Sequence, residues 1–338
     1  MKHCYWLILL FLWGGWVQAQ QRAQYSQYML NAFVLNPAMS GLEDYIDVKA
    51  GYRNQWGGLE GAPKTFYVTA HGALDKADRT SSLSVRGPHG RPMPRSRVFP
   101  SQPAAPGHNG VGGMVLYDEM GPSSRTTLNG SYARHIPLSN RIKLAAGVSG
   151  GITQHTINFD KLHLLDPTDP ILQFGRQSVI IPDLSAGLLL YDPNFYVGFS
   201  ANQLIFKNLN YRTTQQSAYE WLGTLYNHYF LTAGYRVEVT EDWVFLPSIM
   251  VKSVRPVPVS YDINAKLSYQ DRFWAGLSYR HKDAIVGLIG VNVNYRLNLG
   301  YSYDFTLSNL RNVSRGTHEI VIGLMLNNHQ RIICPRLF

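Results

Sequence analysis

The sequence predicts an all-β protein, a transmembrane antiparallel β-barrel of about fourteen strands. Three observations lead there. Apolar residues alternate with polar or small ones at a period of two almost throughout, and no segment carries a helix-length apolar stripe. The alternating runs are about 9–11 residues long, the length a tilted strand needs to cross a bilayer. Aromatic residues are abundant, with 21 Tyr, 14 Phe and 7 Trp, and many fall near strand ends, as in the girdles of outer-membrane barrels. A soluble sandwich also alternates. Glycines at Gly112, Gly147, Gly187, Gly276 and Gly300 on the non-apolar side of the alternation suit a wet or plugged lumen better than a dry sandwich core.

The first element is set aside from the fold. Residues 1–19 combine a basic start at Lys2, an apolar centre from Tyr5 to Val17 and the small-residue sequence "VQA". They read as a secretory signal peptide cut after Ala19, with a signal-anchor helix as the alternative. Residues 20–44 form an N-terminal segment. "QYSQYMLNAFVL" is too apolar for a free tail, so the segment is expected to plug the lumen or dock on the periplasmic side, the simpler reading of Asn36-Pro37 being a turn.

The barrel is expected over residues 45–326. Strands are placed at 45–55, 65–74, 110–118, 126–136, 141–157, 183–190, 195–204, 228–238, 243–251, 260–269, 272–280, 284–291, 296–306 and 317–326. In "YIDVKAGYR", Ile46, Val48, Ala50 and Tyr52 oppose Asp47, Lys49, Gly51 and Arg53. "SYDINAKLSYQ", "RFWAGLSYR" and "RLNLGYSYDF" repeat the pattern. The turns "PLSN", "YDPN", "VTED", "QD" and "NVNY" are short and rich in turn formers. Starting from a periplasmic N-terminus, they fall on one side, and longer loops, including those after 158 and 204, fall on the other. The first hairpin closes through "QWGGLEGAPKT", where Gly57, Gly58 and Gly61 are candidates for positive φ, Pro63 sets the next strand and Trp56 is expected at the lipid–water boundary. A tail, 327–338, ends on Phe338, whose role as an insertion signal stays open.

One connection breaks the rule of short periplasmic turns. The insert 75–109 falls on the turn side, and from Arg79 to Gly107 it holds five arginines (Arg79, Arg86, Arg91, Arg95, Arg97), six prolines and no acid. Much of the formal charge of +9 is local to it. Its readings are contact with an anionic neighbour (lipid headgroup, cell-wall polymer or acidic protein) or a solvated insert. Nucleic acid is a poor partner for an exported chain. Cys4 leaves with the signal and Cys334 stands alone, so no internal disulfide is expected.

Catalysis, cofactor and metal are not indicated. His71, His135, His155 and His163 lack ligand spacing, "LSAGL" lies inside a strand rather than at a nucleophile turn, and no Walker or Rossmann glycine loop occurs. His318 and Glu319 are adjacent, so a strand sends them to opposite faces. His108, Asp118 and Glu119 read as solvated rim charges.

"QYSQYMLNAFVLNPAMSG" followed by "YRNQWGGLEGAPKTFYVTAH" resembles the start of the PorP/SprF family of outer-membrane proteins, associated with type IX secretion and gliding in Bacteroidetes. The matching positions are Gln24, Ser26, Gln27, Tyr28, Asn36, Pro37, Ala38 and Gly41, then Arg53, Asn54, Gln55, Trp56, Gly61, Pro63, Lys64, Thr65 and His71. "YSYDF" at Tyr301–Phe305 and "GTHEI" at Gly316–Ile320, with His318 and Glu319, resemble the family's last two strands. The resemblance implies a non-enzymatic barrel beside the translocon. Its partners would be type IX components, the C-terminal domain of a secreted adhesin or a periplasmic peptidoglycan-binding linker, and outer-membrane lipid. A passive solute porin is the alternative.

Overall fold

A computed structural model of the chain describes residues 24–74, 84–86, 92–94, 107–161, 175–205, 225–254 and 257–328. Fourteen strands form its wall: β1 (Ile46–Asn54), β2 (Lys64–Leu74), β3 (His108–Met120), β4 (Ser123–Pro137), β5 (Lys143–Asn158), β6 (Arg176–Tyr191) and β7 (Phe195–Asn202), then β8 (His228–Tyr235), β9 (Trp243–Val254), β10 (Val257–Tyr269), β11 (Phe273–Arg280), β12 (Ala284–Asn292), β13 (Leu297–Thr306) and β14 (Thr317–Leu326). Each pairs antiparallel with the next in sequence, and β1 pairs with β14, so the ladder closes into a ring. Two further residues, Val237–Glu238, add to the end of β9. A small hairpin, Ser84–Arg86 with Pro92–Pro94, forms its own two-stranded sheet.

Closure explains why this sequence suits lipid. With no free edge, every wall strand finds its backbone partners within the ring, the condition for crossing hydrocarbon. The alternation then sorts side chains in the reverse of a soluble protein. Leu128, Ile152, Ile263, Leu277 and Ile289 point outward and are exposed, while Asp47, Lys49, Arg53, Asn264, Lys266, Asp304 and Glu319 point inward and are buried.

The lumen is occupied by the chain itself. Residues 24–45 run lengthwise through it, bonded to strands around the ring. Ser26 meets β11, β13 and β14, and Asn31 donates to Thr69 of β2 at 2.9 Å. Ser200 and Asn202 of β7 both donate to the Leu35 carbonyl, at 2.8 and 3.0 Å. At the other end His135 of β4 and His108 of β3 bond the carbonyls of Ser40 and Gly41, at 2.8 and 2.9 Å. Tyr25, Tyr28, Phe33, Val34, Leu35 and Met39 fill the space between. Two short 3-10 turns, Ala32–Val34 and Pro37–Met39, shape the segment.

The inward glycines make room for it. A Cβ at Gly147 would lie 2.6 Å from the Ala38 backbone, at Gly187 1.9 Å from Asn36 Oδ1, and at Gly300 2.4 Å from Gln27 Oε1. Those glycines are the footprint of the segment on the wall.

Several boundaries differ from the sequence expectation. β6 begins at Arg176, not 183, so part of the expected loop is strand. β3 begins at His108, so the insert is shorter than 75–109. The rim holding the chain's entry into β1 does carry the short turns, including Gln270 and Asp271 at φ +52° and +56°, a type I′ pairing that matches the strand twist. The opposite rim is mixed rather than uniformly long: Gly121–Pro122 and the connection 281–283 are tight, beside the longer 55–63 and 307–316.

Candidate functional site

The residues singled out at the two ends of the chain converge where the ring closes. β1 and β14 place Arg53 opposite Glu319 and Asn54 opposite His318. Beyond the strands the 55–63 loop is stitched to its neighbours through backbone. Gly57 N–H donates to Gly316 carbonyl and Arg315 N–H to Gly57 carbonyl, both at 2.8 Å, while Gly121 N–H reaches Gly61 carbonyl at 2.9 Å. Trp56 N–H donates to Thr317 Oγ1 at 3.1 Å, and Gln55 N–H closes the loop on Pro63 carbonyl at 2.9 Å. Positive φ falls at Gly58, Gly61 and Gly316. Gly57 does not take it; Trp56 does, at +52°, held there by the bond to Thr317. Lys64 is exposed opposite Glu119, and Thr65 donates to Asp118 Oδ1 at 2.6 Å.

Beneath this loop lies a buried ion network. Arg53 donates to Glu319 Oε2 at 3.0 Å, to Asp304 Oδ2 at 2.8 Å and to Ser26 Oγ at 2.7 Å. Arg280 reaches Asp262 at 3.2 Å and Asp304 at 3.3 Å. Ser26 of the lumen segment completes it, its N–H on Glu319 at 2.7 Å and its hydroxyl on Asp304 at 2.7 Å. Two guanidiniums, from Arg53 and Arg280, and two carboxylates, from Asp304 and Glu319, therefore meet on one serine, while Asp262 pairs with Arg280 beyond it. Each guanidinium faces at least two carboxylates there, with Asp283 also on Arg280 at 3.3 Å, and such opposite-charge pairing is what makes buried ions tolerable.

Further along the lumen, Asn36 accepts from Ala38 N–H at 2.9 Å, capping the second 3-10 turn, and donates to Leu188 carbonyl at 3.0 Å. Pro37 opens that turn. Gly41, at φ +74°, sits where a Cβ would meet Gly110 Cα at 2.5 Å. His71 packs on Phe33, ring centroids 4.8 Å apart, with Nε2 3.7 Å from Asp47, which also pairs with Lys49. His318 faces outward to Tyr301 OH at 2.8 Å, while Glu319 faces in.

The named residues thus divide between the seam loop and the lumen, apart from His318 on the outer face. Arg79, Arg91, Arg95 and Arg97 lie outside the described residues, and Arg86 is described only as backbone of the small hairpin. His108 corrects the sequence expectation. It is buried, stacked on His135 with ring centroids 4.3 Å apart, because β3 starts at it and points it into the lumen. Arg280 and Asp262 were missed; the available signal was a charged residue at an inward position of a barrel strand. Among the described residues no group of three or more His, Cys, Asp or Glu could hold a metal. The arrangement binds chain to wall.

The chain matches, over residues 17–324, the family described as type IX secretion system membrane protein PorP/SprF. No curated protein matches the sequence. Similar solved structures include the outer membrane protein Omp33 of Acinetobacter baumannii, at 11% identity over 85% of this chain and 100% of that one, TM-score 0.45. A FadL homologue of Pseudomonas aeruginosa aligns at 10% identity over 87% and 93%, TM-score 0.48. The Pseudomonas putida toluene transporter TodX aligns at 10% identity over 90% and 93%, TM-score 0.44. These likenesses carry no functional argument, and the barrel stands on its own strand order.

Proposed function

Since the chain belongs to the PorP/SprF family of type IX secretion system membrane proteins, we propose that it is a non-enzymatic outer-membrane barrel that serves the machinery as a plugged docking body. Residues 1–19 direct export, and within the N-terminal segment 20–44 the described residues 24–44 close the lumen. The loop rim, organised by 55–63 and 307–316, receives the C-terminal domain of an exported adhesin. The turn rim, with its basic insert, meets a periplasmic peptidoglycan-associated linker.

The observation that carries this reading is the lumen segment bonded to the wall from Ser26 to Gly41. A solute channel needs a continuous aqueous path, whereas a docking body needs a rigid frame for its rims. The tyrosines and aliphatics packed along the axis favour the frame. Co-purification from native membranes tests it: type IX components or a large secreted protein are expected with the barrel. Recovery of neither, together with steady conductance of the pure protein in planar bilayers, would replace the docking body with the passive channel.

A further inference from the structure

On the turn rim the connections 138–142 and 192–194 and the end of β8 enclose an open recess of about 710 Å³, lined by Ser139, Arg141, Ile142, Asp192, Phe195 and Tyr235, among others. The recess is broad and open to solvent rather than enclosed, so it suits a group that keeps one side in water. Its framework is fixed by its own turn bonds. Leu138 N–H donates to Ile142 carbonyl and Asp192 N–H to Phe195 carbonyl, both at 2.9 Å. Ser139 Oγ accepts from the Ile142 N–H at 3.1 Å, and Asp192 Oδ1 accepts from the Asn194 N–H at 3.0 Å.

Two charges face each other in this frame. Arg141 Nε stands 3.5 Å from Asp192 Oδ2; the arginine side chain is 54% exposed and the aspartate 7%. The guanidinium is therefore open to a ligand while the carboxylate forms the floor. The recess also borders the apolar band. Ile136, Val197 and Tyr235 are exposed on the outward faces of β4, β7 and β8 at this end. An aromatic beside a cation at the end of an outward apolar band is the setting of a lipid headgroup.

We propose that this recess binds the headgroup of a phospholipid carrying both a phosphate and an ammonium. The phosphate sits on Arg141, whose planar donors match its oxygens. The ammonium turns to Asp192 and the Asn140 and Asn194 side chains, and Phe195 and Tyr235 flank the glycerol and first methylenes. A purely anionic headgroup would compete with the Asp192 carboxylate for Arg141 and offer it no cation in exchange, which sets the selectivity. The inference requires only that the barrel stand in a bilayer, so its failure leaves the docking body intact.

Native mass spectrometry of the intact barrel, exchanged in detergent with phosphatidylethanolamine or phosphatidylglycerol, tests it. Phosphatidylethanolamine should be retained preferentially, and inorganic phosphate should not displace it, which separates a lipid site from a free-phosphate site. Arg141→Ala should lower that retention roughly tenfold, the equivalent of one charge-assisted contact. Arg296→Ala, on the turn between β12 and β13 and four strands round the ring from β8, should leave it unchanged. Asp192→Asn keeps the side-chain oxygen that accepts from Asn194, and should erase the preference between the two lipids while lipid binding persists. Heat-modifiable gel mobility confirms that each variant is folded. Equal retention of both lipids by the wild type, or undiminished retention by folded Arg141→Ala, overturns the site.

Discussion

Arg53 serves three acceptors at once, and each comes from a different part of the chain. Glu319 is its cross-strand partner on β14, Asp304 lies one strand further on β13, and Ser26 belongs to the lumen segment. With the arginine removed, Glu319 and Asp304 would face each other across buried space with only Arg280 to compensate. Breaking a buried pair by deleting one partner costs about 3–5 kcal/mol, because a charge is left uncompensated. Arg53→Ala is therefore expected to lower stability by about that much, read as a shift in denaturant midpoint of the micelle-bound barrel. Arg53→Met together with Glu319→Leu should cost clearly less than the sum of the two single changes, since the pair is removed whole. Additive losses would show that the network contributes through volume rather than charge.

At the scale of elements, the lumen segment and the wall are matched by glycine. Gly187 lies against Asn36 Oδ1 and Gly147 against the backbone of Pro37 and Ala38. A valine at Gly147 cannot be accommodated by side-chain movement alone, because the obstacle there is backbone. Gly147→Val should therefore displace the segment while the ring, whose ladder bonds do not involve that side chain, stays closed. The expected outcome is a folded, heat-modifiable barrel that now conducts in planar bilayers, against a silent wild type. A silent variant would mean that the segment shifts without opening a path.

The elements differed in how plainly the sequence announced them. Strands such as Leu297–Thr306 were legible because lipid on one side and lumen on the other enforce a period of two. The start of β6 was not. Its outward residues there, Arg176 and Ser178, are polar, as suits strand projecting beyond the apolar band, so the alternation that marks a membrane strand is lost. The partners of Ser26 were illegible for a different reason: Asp304 and Arg280 lie more than 250 positions away, and only ring closure brings them near. Gly147 and Gly187 could be read as small residues of a lumen, but not as the imprint of Asn36-Pro37.

For the whole molecule, the closed ring makes two demands that can be tested separately. The basic insert lies between β2 and β3, which pair directly from Lys64↔Glu119 to Leu74↔Asn109. Its described part, Ser84–Arg86 with Pro92–Pro94, pairs only with itself. Deleting 79–107 should therefore leave heat-modifiable mobility unchanged and reduce recovery of turn-rim partners. Loss of membrane insertion would instead make the segment part of the barrel's assembly.

The second demand concerns the outer face. Gly130 sits mid-strand on β4, opposite Gly113 of β3 and Gly150 of β5. A Cβ there would meet nothing within 4 Å, so a larger side chain incurs no steric cost inside the protein. The cost of a charge at this position comes from its surroundings alone. Arginine on the lipid face near the bilayer midplane is unfavourable by about 2–4 kcal/mol. Gly130→Arg is accordingly expected to destabilise the barrel by about that amount in phospholipid vesicles and by much less in small detergent micelles, where water reaches the side chain. Equal effects in both media would mean that hydrocarbon does not cover this face, and the ring would then have to close for some reason other than satisfying its backbone in lipid.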